Sequence, residues 1–399
     1  MRYALLALAM GAPFLSTPAT ADEVSDKLKE NLERCAQSNC KVPDFGIKGL
    51  TAIPEEAFTM EGVYGLRLSN TDITDFSPLA EMNWIEELDI SGTKMADLSP
   101  LSGLTQLEKL TMSRTEVTDL APIAGLVGLR SFVMQNSKVT DISAMAEMKA
   151  LENVDLQSSP IADISPLAGI QHIERLQLAR TAITDFSPLG ELKGTWSINL
   201  DSTGIEDLTP LGGLTALAQL NINKTKVTDL TPISGLVGLR YLDARDVALS
   251  DLGPVAGMPR MYALVLSGTQ VADLSPLAEL KLLYNLDLAK TPVTDLSPLS
   301  GVHTLQRLNL DGSSVTDLSP LAGMQGLKDL SVRQTGVSDV SALAKLPALE
   351  RLSLDDTEVA DLSPLLDIET LKSVSIRKDK YTGDMGPVEA LEAKGVQVR

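Results

Sequence analysis

The chain has 399 residues, with 53 acidic against 34 basic side chains and a formal net charge of −19. That balance excludes the positive footprint by which proteins hold nucleic acid or anionic lipid. Two cysteines and two histidines are too few, and too scattered, to assemble a metal centre of thiolate and imidazole ligands.

The first residues read as an export signal. Arg2 supplies positive charge, Tyr3 to Leu15 is mostly apolar, and Ala19-Thr20-Ala21 is an A-x-A cleavage site. Residues 1–21 are therefore expected to be removed, leaving a mature protein that starts near Asp22. The apolar stretch is too short to span a bilayer, and no later run could serve as a membrane anchor. No lipidation cysteine lies at the cleavage site and no cell-wall sorting motif at the C-terminus. The expectation is an exported protein, periplasmic or secreted, with no membrane insertion.

Residues 22–62 read as an N-terminal cap. Val24, Leu28, Leu32 and Cys35 recur at helical spacing, which predicts an amphipathic helix closing the front of the downstream chain. In an oxidising compartment Cys35 and Cys40 are expected to form a small disulfide loop. They are not read as a metal site, because neither His172 nor His303 is near them in sequence.

From residue 63 to 378 the chain repeats. Aspartate stands at 75, 97, 119, 141, 163, 185, 207, 229, 251, 273, 295, 317, 339 and 361, always 22 residues apart. A fixed period in this range marks a solenoid, here of about 15 strands. In the unit Leu283-Tyr284-Asn285-Leu286-Asp287-Leu288 the leucines alternate at the strand period. Leu286 and Leu288 are thus expected in the core and Asp287 exposed on the opposite face. Stacked units place their strands in one parallel sheet with a continuous aliphatic core. Threonine or serine at the turn (Thr93, Thr115, Ser137, Ser159) can bond backbone groups as the chain leaves the strand. Ser-Pro then signals one short helical turn, with serine as cap and proline at the first helical position. The aspartate before it can accept backbone N–H bonds at that turn. A calcium site would gather several oxygens at one point, whereas this column offers one carboxylate per unit. At the C-terminal end, 379–399 reads as a second cap: a helix from Pro387 to Ala393, ended by Gly395, then a strand at Val396 and Val398.

The LxxLxLxxTxV…TDLSPL pattern resembles the leucine-rich-repeat family, and within it the 22-residue units of internalin-type bacterial proteins. The resemblance covers Val63 to Ile376. It implies an α/β repeat solenoid, a right-handed superhelix with a parallel sheet on the concave side and short helical turns on the convex side. It also implies that partners dock on the concave sheet. This chain departs where that family usually has asparagine, carrying threonine or serine instead, and Val247 once. It also lacks the surface-anchoring region that many internalin-type proteins carry.

No catalytic constellation is expected. His172 and His303 lie six units apart, roughly 30 Å at the strand spacing, and both fall after the Ser-Pro turn, away from the sheet. The pattern points to a protein- or peptide-binding module without cofactor or metal. The principal candidates are Trp196, Tyr241, Asp243, Arg245, Tyr262 and Tyr284, where scarce aromatics coincide with a broken repeat: Ala244 stands in a leucine column and Val247 in the threonine column. Tyr, Trp and Arg are the side chains that dominate interface energetics. The alternative is that the rings fill gaps left by Thr195 and Ala244. An amide-rich stretch (Gln135, Asn136, Asn153, Gln157, Gln177, Asn199, Gln219 and Asn221) supplies secondary candidates and a second reading, a glycan-binding protein of the cell envelope. A hydrolase with paired carboxylates is the third. The columns Asp311, Arg333, Asp355, Arg377 and Arg307, Asp329, Arg351 are expected to pair along the stack.

Overall fold

Each unit contributes one short strand. The strands β1 (Gly65–Arg67) to β16 (Gln397–Val398) hydrogen-bond in parallel, in strict chain order, as one open 16-stranded sheet. The structure is a computed structural model that describes residues 21–38 and 40–399. Residues 1–20 of the expected export signal (1–21) lie outside the described residues.

Register follows the leucine pattern. Leu264 of β10 (Ala263–Val265), Leu286 of β11 (Asn285–Asp287) and Leu308 of β12 (Arg307–Asn309) stand in line. Leu286 and Leu288 are fully buried, in one core cluster that runs from Phe45 to Val398. Asp287, expected to be exposed, is half-buried. Its Oδ1 accepts the Ala289 N–H at 3.0 Å, and burial raises its carboxyl pKa.

The outer segment of each unit is a single 3-10 turn, as at Ser99–Leu101 and Ser297–Leu299. The expected cap needs correcting. Serine does not cap the turn but occupies its first position, with proline next. The cap is the preceding aspartate: Asp97 Oδ1 accepts the Ser99 N–H at 2.8 Å and Asp295 Oδ1 the Ser297 N–H at 2.8 Å. The serine hydroxyl turns back to the same carboxylate, Ser297 to Asp295 Oδ2 at 2.7 Å. A two-residue reach of this kind is the natural geometry of a short carboxylate side chain at a turn.

On the other side of the strand, where the column holds threonine, its hydroxyl donates to the carbonyl three residues back (Thr269 to Leu266 at 2.7 Å, Thr291 to Leu288 at 2.6 Å). Just before that threonine sits a left-handed residue: Asn70 (φ 57°), Gly92 (67°), Arg114 (56°), Gly268 (75°) and Lys290 (56°) occupy equivalent slots. This conformation costs about 1–2 kcal/mol for a residue with a Cβ, so the geometry is imposed by the stack. At Gly268 a Cβ would fall on the Asp246 carboxylate.

Both ends are covered. Helix α1 (Ala21–Ser38) lays Val24, Leu28 and Leu32 against the core. The Cys35–Cys40 disulfide, Cα atoms 4.9 Å apart, closes the loop after it, and α2 (Glu56–Thr59) adds the buried Ala57. At the far end α3 (Gly386–Ala393) buries Pro387, Val388 and Leu391. Gly395 turns at φ 85°, and β16 pairs with β15 (Ser373–Ser375).

Candidate binding face

The open sheet face divides into three surfaces. Over the first, the amides bond to one another and to neighbouring carboxylates. Gln135 Nε2 donates to Asp155 at 2.5 Å and Gln157 Nε2 to the same carboxylate at 3.2 Å. Asn199 Nδ2 reaches Gln177 at 3.0 Å, and Asn223 Nδ2 reaches Asp201 at 2.7 Å. Asn221 Oδ1 accepts the Asn223 N–H at 2.9 Å. Of the secondary candidates Asn153 and Gln219 have side chains outside this ladder, and Gln219 lies in the groove described below. Asn136, read as a face residue, instead holds the left-handed slot after its strand.

The third surface is charge-paired, though less completely than expected. Arg333 meets Asp311 at 2.8 Å, Arg307 meets Asp329 at 3.3 Å, and Arg351 pairs with Asp329 as well. Asp355 breaks its column. It accepts the Ser375 hydroxyl at 2.7 Å, while Arg377 turns to Asp356 and Asp379.

Between them lies the irregular unit. In β9 (Tyr241–Asp243), Tyr241, Asp243 and then Arg245 point to one side, because side chains alternate along a strand. Asp243 is nonetheless 1% exposed, closed in beside Val265 of the next strand. The Arg245 guanidinium grips it with two bonds, Nε to Oδ1 at 2.9 Å and Nη2 to Oδ2 at 2.6 Å. The Arg245 backbone N–H adds a third at 3.3 Å and the Tyr241 hydroxyl a fourth at 3.4 Å. The bond to Asp243 strengthens the guanidinium's hold on its proton. Burial, then the Asp243 charge, raises the Tyr241 pKa, which keeps the phenol a neutral donor. Asp243 therefore cannot touch a partner directly. It holds the Arg245 and Tyr241 side chains in place.

The remaining aromatics lie at the edge where strands begin. Tyr262 and Tyr284 hold the same slot in adjacent units, bonded through the Tyr284 N–H to the Tyr262 carbonyl at 2.9 Å. Their rings stack with centroids 4.9 Å apart at 10°, essentially the spacing between strands. Arg307 lies 5.9 Å from the centre of Tyr284. Trp196 shares the slot further back, with Arg175 at 4.6 Å over its ring and its indole N–H donating to Glu174 at 3.4 Å. The alternative that the rings fill gaps does not describe Tyr262, which is half exposed. Thr195 closes its own site by donating to the Ile173 carbonyl at 2.6 Å.

A groove of 1210 Å³ runs along this edge and brings Tyr241, Tyr262 and Tyr284 together. Trp196, Asp243 and Arg245 are not in its lining. Sequence reasoning missed Arg240, Arg260, Leu282 and Gln306, which the structure adds to its walls. It also placed His303 away from the sheet, whereas His303 lines the groove. The segment between turn and strand climbs to the sheet edge, which a linear count of residues does not show. Among the described residues no group of histidine, cysteine, aspartate and glutamate could hold a metal ion, and no helix is long and apolar enough to cross a membrane.

No family model matches the chain, and no curated protein sequence matches it. Solved structures do. An internalin, InlF, of Listeria monocytogenes is 29% identical, with a TM-score of 0.71 over 77% of this chain and 90% of its own. A leucine-rich-repeat protein of Leptospira interrogans superposes with a TM-score of 0.81 over 92% of this chain and 98% of its own, at 17% identity. The plant peptide hormone receptor RGFR1, solved in complex with RGF2, gives 0.61 at 16% identity over 86% and 68% of the two chains. The last two are likenesses of fold alone.

Proposed function

Because the chain is a leucine-rich-repeat protein built of internalin-type units, we propose that it is an exported, non-enzymatic scaffold that recognises a protein or peptide through its concave sheet. The anchor in this reading is the tyrosine groove along β9 to β12, with Tyr241, Tyr262 and Tyr284 as its contact residues. The observation that carries it is the contrast across the face. The amide ladder and the charge-paired strands spend their polar groups on each other, while the groove leaves half-exposed tyrosines and arginines open to solvent. Such rings and guanidinia are the anchors of protein interfaces.

The glycan reading is weaker. It needs free amides and ring faces on which sugars can stack, yet the amides are bonded to one another. Tyr262 and Tyr284 each cover one face of the other, and Arg307 lies by the Tyr284 ring. Catalysis has no support either, since the column of aspartates is committed to capping turns. The net charge of −19 speaks against nucleic acid, and the A-x-A motif supports export to the periplasm or the medium.

The test is a pull-down from periplasmic and secreted extract, followed by mass spectrometry, with wild-type protein and a Tyr262→Ala/Tyr284→Ala variant side by side. A protein or peptide captured by the first and lost by the second is the expected result. Equal capture by both would move the site elsewhere, first to the strands between Gln135 and Asn223.

A further inference from the structure

We infer that the tyrosine groove selects an acidic peptide segment in extended conformation. This rests on the reading of the groove as the anchor and adds the chemistry of its occupant.

The argument begins with charge. The chain carries 53 acidic and 34 basic side chains, yet the groove's lining contains no aspartate or glutamate. Its ionisable positive groups are Arg240, Arg260 and Arg307, with His303 beside them. Elsewhere on the central and later face the guanidinia are taken: Arg245 by Asp243, Arg333 by Asp311 and Arg351 by Asp329. Arg307 is shared between Asp329 and the Tyr284 ring. Arg240 and Arg260 are exposed, and neither has a hydrogen bond or ion pair from its side chain to any described residue. Two planar cations thus stand unpaired in a wall without acids, on a protein otherwise rich in them. A guanidinium matches a carboxylate with two parallel bonds.

The groove's shape then narrows the ligand. It runs across the strands from Gln219 to Arg307, five units, or about 19 Å at the strand spacing. An extended peptide covers that length with about six residues. Exposed Leu282 and the edges of Tyr262 and Tyr284 offer apolar contact beside the cations. The occupant that satisfies both is a short acidic strand with an apolar side chain among its carboxylates.

A random-peptide phage library panned on the immobilised protein tests this, with three proteins panned in parallel: Arg240→Gln/Arg260→Gln, Tyr262→Ala/Tyr284→Ala and wild type. Enriched sequences should be acidic. A synthetic peptide from that set should bind the arginine variant about tenfold or more weakly, as expected for lost charge-assisted bonds, and its wild-type affinity should fall with salt. Thermal melts of the arginine variant should match wild type, because neither side chain has a partner among the described residues. Neutral or basic sequences, enriched through the tyrosines but indifferent to the arginines, would overturn this inference and leave the proposed function standing. Enrichment indifferent to the tyrosines, or none at all, would overturn both. So would binding of polygalacturonate in place of any peptide.

Discussion

A buried carboxylate is tolerated only when its charge is answered, and at Asp243 the answer comes almost entirely from one side chain. Arg245 provides two side-chain bonds and a backbone N–H, and the Tyr241 hydroxyl supplies the longest of the four contacts. Since Arg245 points away from the core, its removal looks harmless from sequence. The structure says otherwise. Arg245→Ala leaves a charge nearly closed off from water, a loss of about 1–3 kcal/mol by the cost of an unsatisfied buried group. The figure sits at the lower end of that for buried ion pairs because Arg245 is itself about half exposed. Urea melts of Arg245→Ala and of Asp243→Asn/Arg245→Ala check this: the single variant should be the less stable of the two. If the single variant melts like wild type, Asp243 is reached by water and the pair is ornamental. The consequence for binding studies is direct. Arg245 is a poor probe of partner contact, because its loss disturbs the strand that carries Tyr241. Tyr262 and Tyr284, stacked at the edge, are better ones.

At the scale of the repeating element, the recurring device is a carboxylate on a turn. Hydrogen bonds from the serine or threonine two residues on, through hydroxyl and backbone N–H, lower the pKa of Asp97, Asp185, Asp207, Asp273, Asp295 and Asp361 from the ordinary 3.8. A carboxyl whose folded pKa lies below its unfolded value contributes stability above the unfolded value. It loses that contribution as pH falls through the folded one. Acid melts should therefore weaken the solenoid from about pH 4 downward. Asp295→Ala should be less stable than wild type at neutral pH, with the difference closing as acid protonates the wild-type carboxyl. A difference that persists unchanged in acid would mean that the side chain acts through shape and not charge. These turns were legible in the sequence because one residue type recurs at one spacing, and the strand register was legible for the same reason. The left-handed slot was not. Asn70, Gly92, Arg114, Gly268 and Lys290 share it with no side-chain property in common, since the neighbouring units impose the backbone there. The groove was half legible. The shared slot of Tyr262 and Tyr284 could be read by counting, but Arg260, Leu282 and His303 reach it from segments whose path exists only in three dimensions. The burial of Asp243 was equally hidden, because it depends on how closely Val265 in the next unit approaches.

For the whole molecule, the governing fact is that every unit touches only its neighbours, so stability is a chain of local interfaces with two vulnerable ends. The C-terminal end is closed by α3 and by β16, which continues the sheet. The N-terminal end depends on α1, whose Val24, Leu28 and Leu32 are only partly buried. The Cys35–Cys40 link fixes the last turn of that helix to the segment entering the sheet, where Asp44 bridges to Arg67 of β1. Non-reducing mass spectrometry of freshly purified protein should find this bond intact. Breaking it with Cys35→Ser/Cys40→Ser should free the helix to lift and uncover the core beside Val24 and Leu28, around the buried Leu50 and Ile53. Nearest-neighbour coupling sets how far that damage travels. Hydrogen exchange should quicken first at β1 and β2 (Glu87–Asp89), fade over the following units, and leave β9 to β12 protected as in wild type. The groove's ligand should then bind the variant unchanged, because its site lies many units from the fraying end. Uniform loss of protection along the sheet would instead mean that the solenoid unfolds as one cooperative body. The cap would then control the binding face after all.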